Sequence, residues 1–258
     1  MKQLLISLFT TFIMVGCTLS PLPFENDASS QSVNTTLICA EKIDVFPLSI
    51  NGVHPPQEAF DYYIEKLKKY TTNNVVIHST MNLTLERDKI NNFVQNYGDG
   101  VRKVYGLDGD NLEKFLAFRE EAESKDSSIV MIYTPELIDS WDKARKLRGL
   151  AFPYSNKTNI VAYNGININN SPVISDTQAW KIVLTHEVGH RFGVPAKRTH
   201  NKAGHCTSRE CIMYARPDWQ AVVSVLFNGM PYDFCAKCKA ELLEAKDKCV
   251  STKVESVD

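Results

Sequence analysis

The sequence predicts an α+β domain, a mixed β-sheet covered by helices. Two observations carry this. Short β-branched and apolar runs alternate with segments whose apolar residues recur at helical spacing, and a hairpin pattern precedes a long capped helix. Residues 40–50 (Ile43, Val45, Phe46, Leu48, Ile50) read as a strand. Pro55 and Pro56 can open a helix at its first turn, and Phe60, Tyr63, Ile64, Leu67 and Tyr70 carry it to about Tyr70. Asn74–Ser79 reads as a second strand. Residues 86–123 hold two helical patterns, broken at Gly98-Asp-Gly and at Gly106 to Gly109. Ser127–Tyr133 is a buried strand by composition. Gly149–Tyr154 and Asn159–Gly165 flank a turn at Ser155-Asn-Lys-Thr. Tyr154–Ala162 is the candidate edge strand, with a plain surface hairpin as the other reading. Asp176 is expected to cap a helix running to about Arg191, followed by Cys-rich loops and short helices near 217–228 and 234–247.

At 258 residues, with 43% hydrophobic and 23% charged side chains, the chain can bury the core of one catalytic domain. Its formal net charge is −1, which provides no electrostatic footprint for nucleic acid. The expected state is a monomer.

Residues 1–16 read as an export signal. Lys2 supplies the positive start and Leu4–Val15 an apolar stretch too short to span a bilayer. Met14-Val15-Gly16-Cys17 resembles a lipobox, which implies cleavage before Cys17 and acylation of that cysteine. Met14 stands where Leu is usual, so plain secretion is the alternative. Residues 17–38, rich in Pro, Ser and acids, read as a flexible tether. The globular domain is expected over 39–258. The expected location is the cell envelope, membrane-anchored and facing the periplasm or exterior.

The most informative segment is Thr185-His-Glu-Val-Gly-His-Arg-Phe-Gly. On a helix, residues four apart share a face one turn apart. His186 and His190 therefore project together and can bind one Zn²⁺. Glu187 is turned to hold a water beside the metal, as general base and later as acid toward the leaving amine. Trp180, Ile182, Val183, Val188 and Phe192 give the helix a core face, which argues against two merely solvated histidines. Gly193 lets the chain turn sharply.

From His186 to Gly193 this segment resembles the metzincin signature H-E-x-x-H-x-x-G-x-x-H, and so implies a zincin-like catalytic domain. The position of the third histidine is Ala196 here. The chain reaches His205-Cys-Thr-Ser-Arg-Glu-Cys-Ile-Met213 only after an insertion. That H-C-x4-C-x-M piece, and the later Cys235-Ala-Lys-Cys238, resemble the archaemetzincins. The interval from Met213 to Cys235 is longer than that family implies. The resemblance implies His205 as third catalytic ligand, a Met-turn at Met213, and a Cys-rich C-terminal subdomain holding a structural zinc on Cys206, Cys211, Cys235 and Cys238. Met213 as an ordinary core methionine is the alternative reading, and outside the cytoplasm the four cysteines also suit disulfides. Tyr214 is a candidate oxyanion partner or a half-buried surface tyrosine.

For the third ligand, His200 and the carboxylate of Glu210 are the alternatives. His200 lies in the basic run Lys197-Arg-Thr-His-Asn-Lys, which suits an exposed loop, whereas His205 follows Gly204 and adjoins Cys206. His54 and His78 stand alone. With Cys17 acylated and four cysteines on zinc, Cys39 and Cys249 remain for a disulfide, closing a loop of about 210 residues.

The expected activity is hydrolysis of peptide bonds in a peptide or protein substrate by a zinc-activated water. The cofactors are one catalytic and one structural Zn²⁺. The alternative is a non-catalytic, zinc-binding surface lipoprotein that recognises a partner, which leaves the Glu187 carboxylate without a purpose. A third class, a lipoprotein stapled by disulfides, leaves the helix-spaced histidines unexplained.

Overall fold

A computed structural model describes residues 32–98, 106–139, 146–147, 149–152, 158–164, 175–202, 204–214 and 233–254. The expected signal, Cys17, the hairpin turn and the short helix near 217–228 lie outside them. Among the described residues, no helix is long and apolar enough to cross a membrane.

The central sheet is built from β1 (Ile43–Ile50), β2 (Val75–Ile77), β3 (Met81–Leu83), β4 (Ser128–Thr134), β7 (Gly149–Phe152) and β8 (Thr158–Asn164). Its order is β2-β1-β4-β8-β7, with β3 following β2 along the same side of β1. All pairings are parallel except β7 with β8. Parallel strands are covered on both faces, so β1 and β4 are buried along their whole lengths. Alternate residues serve opposite faces: Ile129, Met131 and Tyr133 enter one core, Val130 and Ile132 the other. Pro47, with no N–H to give, lies between the stretch of β1 paired with β2 and the stretch paired with β3.

One face is covered by α2 (Gln57–Tyr70) and α5 (Asp176–Phe192), the other by α3 (Arg87–Gly98) and α4 (Gly109–Glu123). This is the mixed α+β arrangement the alternating patterns predict. Strands β2 and β3 are three residues each, and β3 has too few residues to show a period. The two-residue pairing of β5 (Ile138–Asp139) with β6 (Lys146–Leu147) escapes a reading by pattern for the same reason.

Three expectations are corrected. Among the described residues, the edge of the sheet beside the cleft helix is β7, the first arm of the hairpin, and not Tyr154–Ala162. Residues 158–162 belong to β8, which lies between β4 and β7. Composition cannot tell the arms apart; the parallel pairing of β8 with β4 decides. The N-cap of α5 is Ser175 rather than Asp176. Ser175 Oγ accepts the Gln178 N–H and Gln178 Oε1 accepts the Ser175 N–H, a reciprocal capping box.

The third correction concerns the tether. Residues 32–38 pack as part of the domain. Asn34 N-caps α1 (Thr35–Ile38), its Oδ1 accepting the Leu37 N–H. Leu37 and Ile38 are buried against α5 and α6 (Ala236–Val254). One helical turn has no period to read, so tertiary contact is what orders it. Cys39 and Cys249 are disulfide-bonded, with Cα atoms 5.3 Å apart, joining this segment to α6.

Candidate metal centre

Helix α5 packs against α2, β7 and β8. Its capping box starts it, and Gly193 ends it in the left-handed region (φ 76°, ψ 27°), donating its N–H back to the His190 carbonyl. Most of the helix is buried, including His186 and Glu187. Just past its end, the Asn34 backbone N–H donates to the Phe192 carbonyl at 2.9 Å. Asn34 Nδ2 donates to the Arg191 carbonyl at 3.0 Å. The early segment thus satisfies carbonyls that a helix end leaves bare.

His186 and His190 project side by side, their Nε2 atoms 3.1 Å apart. His205 arrives from the short hairpin of β9 (Asn201–Lys202) and β10 (His205–Cys206). Its ring centroid lies 5.4 Å from that of His186 and 4.9 Å from that of His190. One nitrogen from each ring falls within 4.8 Å of the others. His186 Nδ1–H donates to the Ile212 carbonyl at 2.7 Å, which leaves its Nε2 lone pair facing the cluster. Burial pushes the His186 imidazole down to about 3, His205 nearby adds to this, and the bond to Ile212 opposes it. Burial likewise holds His190 well below the usual range. His186 and His190 are therefore neutral, the form that binds metal. Two nitrogens ligating one tetrahedral ion at ~2.0–2.1 Å stand about 3.3 Å apart, close to the observed separation, so the donor set fits Zn²⁺.

Glu187 is buried beside this cluster, and β7 crosses over it so closely that a Cβ on Gly149 would overlap the Glu187 carboxylate. Met213, fully buried, packs on the other side of α5, against Gly189. The Met213 carbonyl accepts the Cys206 N–H at 2.9 Å. With the Cys206–Tyr214 bridge, this bond ties the turn carrying Met213 to the strand carrying His205. Tyr214 is half-buried at the end of that turn.

Cys206, Cys211, Cys235 and Cys238 form a second cluster, all four free thiols. Cys206 and Cys235 have their sulfurs 3.7 Å apart, as do Cys211 and Cys238. Four sulfurs around one zinc at ~2.3 Å stand about 3.8 Å apart, so this set also fits. Cys235 immediately precedes α6 and Cys238 lies in its first turn, where the helix favours negative charge. Hydrogen bonds from Cys211 and Cys238 pull the Cys206 thiol down towards thiolate, and the same contacts push Cys211 and Cys238 up. Asp233 anchors the approach to α6. It accepts from the Phe234 N–H and from Tyr70 Oη, pairs with Lys66 of α2 and Lys239 of α6, and its carbonyl accepts the Ile212 N–H.

Of the alternative third ligands, Glu210 is exposed and outside both clusters. His200 is not on an exposed loop as its basic neighbours suggest; it is 2% exposed, turned inward beside Cys238 and Glu241. Lys197, Arg198 and Thr199 take the solvent instead. The buried Glu241 was invisible in the sequence, where it is one acid among many in a charged helix. His54 is exposed, while His78 stacks on Phe46 and pairs with Asp44. Among the described residues, neither joins a metal-competent group.

No family model matches the chain, and no curated protein matches it. Solved structures resemble it, three of them as follows. One is an archaemetzincin from Methanopyrus kandleri (16% identity, TM-score 0.46, 80% of this chain and 96% of that one). Another is a zinc-dependent peptidase from Methanocorpusculum labreanum (18%, 0.43, 78% and 99%). The third is an archaemetzincin from Archaeoglobus fulgidus complexed with malonate (14%, 0.40, 78% and 99%). At these identities the chemistry of the site is argued from its own residues.

Proposed function

We propose that the protein is a zinc-dependent peptidase, with His186, His190 and His205 as ligands of the catalytic ion. The observation that carries the reading is the convergence of these three imidazoles, His186 and His205 buried and His190 half-buried, beside the Glu187 carboxylate. A zinc ion there supplies a Lewis acid for the scissile carbonyl and lowers the pKa of a water toward ~7. Glu187 takes the proton of the attacking water on a carboxylate oxygen and passes it to the leaving amine nitrogen. Strand β7, the last strand of the sheet among the described residues, lies where an extended peptide would be laid along the cleft. Met213 floors the site, and Tyr214 is the candidate donor to the developing oxyanion. Cys206, Cys211, Cys235 and Cys238 hold a second, structural zinc.

The protein is further proposed to be exported and anchored through an acylated Cys17. The Cys39–Cys249 disulfide supports export, because such bonds persist in oxidising compartments. Membrane partitioning of the wild type, lost in Cys17→Ser, tests the anchor; a soluble product with no lipid mass on its N-terminus would show plain secretion instead.

The test of function is metal content together with cleavage of a quenched peptide library, before and after chelation. Two zinc ions per chain and chelator-sensitive cleavage are expected. Zinc retained with no cleavage across the library would favour the non-catalytic binding module.

A further inference from the structure

The segment 194–204, inserted relative to the metzincin signature, is held from within. Glu241 of α6 reaches back to it, its two oxygens accepting the backbone N–H groups of Ala196 (2.9 Å) and Lys197 (2.8 Å). The Thr207 N–H donates to the His200 carbonyl at 2.9 Å, and Asn201 bonds to the Pro195 carbonyl and the Gly204 N–H. At the centre lies His200. Its Nε2 is buried with no hydrogen-bond partner, 3.6 Å from Glu241 Oε1. A buried nitrogen left without a partner is costly, so its presence calls for a reason.

The cysteine cluster supplies the complementary gap. A metal bound by four thiolates carries a net charge of about −2, and N–H donors to sulfur offset such charge. Cys206 Sγ accepts the Ser208 N–H at 3.4 Å, and Cys211 Sγ accepts the Cys235 N–H at 3.3 Å. Cys238 is fully buried and, among the described residues, receives no N–H. Its sulfur and a nitrogen of His200 lie within 4.8 Å of each other. A sulfur that receives no N–H thus lies next to an imidazole whose Nε2 has no hydrogen-bond partner.

We propose that His200 is a positioning residue for the cysteine site, donating its Nε2–H to Cys238 Sγ once that site holds metal and keying the 194–204 segment to it. The inference rests on the four cysteines being a metal site. A competing arrangement puts an ion on His200, Cys238 and Glu241, but both Glu241 oxygens already accept amide hydrogens and Cys238 would have to be shared.

The experiment loads the full-length protein with Co²⁺ and reads ions per chain, thiolate-to-cobalt charge-transfer absorption, and chelator competition at the thiolate site. Wild type is expected to bind two ions with thiolate bands. In His200→Ala, two ions should remain, with shifted bands and about 10- to 100-fold weaker retention at the thiolate site. His200→Gln, which keeps a side-chain N–H, should recover both readouts in large part. Unchanged bands and retention in His200→Ala, or a His200→Gln as impaired as the alanine variant, would overturn the proposal alone. So would a third ion in wild type that His200→Ala loses, since His200 would then be a ligand. Absence of thiolate bands in wild type would overturn the reading of the cysteine site, and this inference with it. A wild-type measurement needs no variant to fold: zinc loading should bring out a slowly exchanging His200 Nε2–H proton resonance, and its absence would refute the bond.

Discussion

The sulfur of Met213 occupies the space a side chain at Gly189 would need: a Cβ built there would overlap Met213 Sδ and crowd the Phe234 ring. Gly189 sits between the two helical histidines, so it lets the turn below press directly on the helix that carries them. Gly189→Ala should cost about 1–3 kcal/mol by overpacking and weaken zinc retention at the histidine site. Denaturant unfolding with and without metal, alongside chelator competition, measures both. Wild-type values in each would mean that the Met213 turn yields freely.

A second close approach lies on the opposite side of the helix. Gly149→Ala should force the Glu187 carboxylate from its place under β7. Turnover is expected to fall at least about tenfold, the order of loss that follows misplacement of a reacting group, while zinc content stays intact. Full activity would separate the strand from the chemistry.

Glu187→Gln keeps the shape of the side chain and removes its ability to take a proton. Cleavage should drop by about 10²–10⁴-fold with fold and metal content preserved. A loss of only a few-fold would sink the assignment of Glu187 as base.

The Cys39–Cys249 bond spans 210 positions. Cys39→Ser is expected to lower stability by ~2–5 kcal/mol, read as the denaturant midpoint. Because Asn34 of the tethered segment caps the end of α5, amide exchange at residues 32–38 should accelerate as well. Unchanged protection there would show that burial of Leu37 and Ile38 suffices to hold the segment.

Asp233 provides a pH dependence. Burial would raise its pKa, but Lys66, Lys239 and the Phe234 N–H outweigh burial and hold the carboxyl below its ordinary 3.8. A carboxylate depressed on folding stabilises the fold above its unfolded pKa, and that stabilisation is lost as pH falls through the folded value. The stability gap between wild type and Asp233→Asn should therefore be full at pH 6 and shrink below about pH 4. Titrated denaturation of both proteins, freed of metal, tests this; a gap constant to pH 2 would assign the effect to packing.

Much of the layered fold was legible because β1, β4 and α5 are long enough to display a period or a sustained apolar run. The pair His186 and His190 was legible because four-residue spacing on a helix is itself geometry. What stayed hidden depends on tertiary partners. Leu37 and Ile38 occupy a single turn that only α5 and α6 order. Strand β7 is an edge only because β8 pairs with β4. The inward turn of His200 is set beside Glu241 of α6, 41 positions further along the chain, and nothing local to Lys197–Lys202 announces it.

His205 and Cys206 are consecutive residues on one short strand, assigned to two different ions. On the proposed reading, an ion taken up by the sulfurs prepays the ordering of the backbone that presents His205, and by linkage the reverse holds too. The two uptake steps are then positively cooperative. Under scarce zinc the population divides into empty and fully loaded chains, with few half-loaded ones between. Metal supply then acts as a threshold rather than as a proportional control on how many molecules are competent.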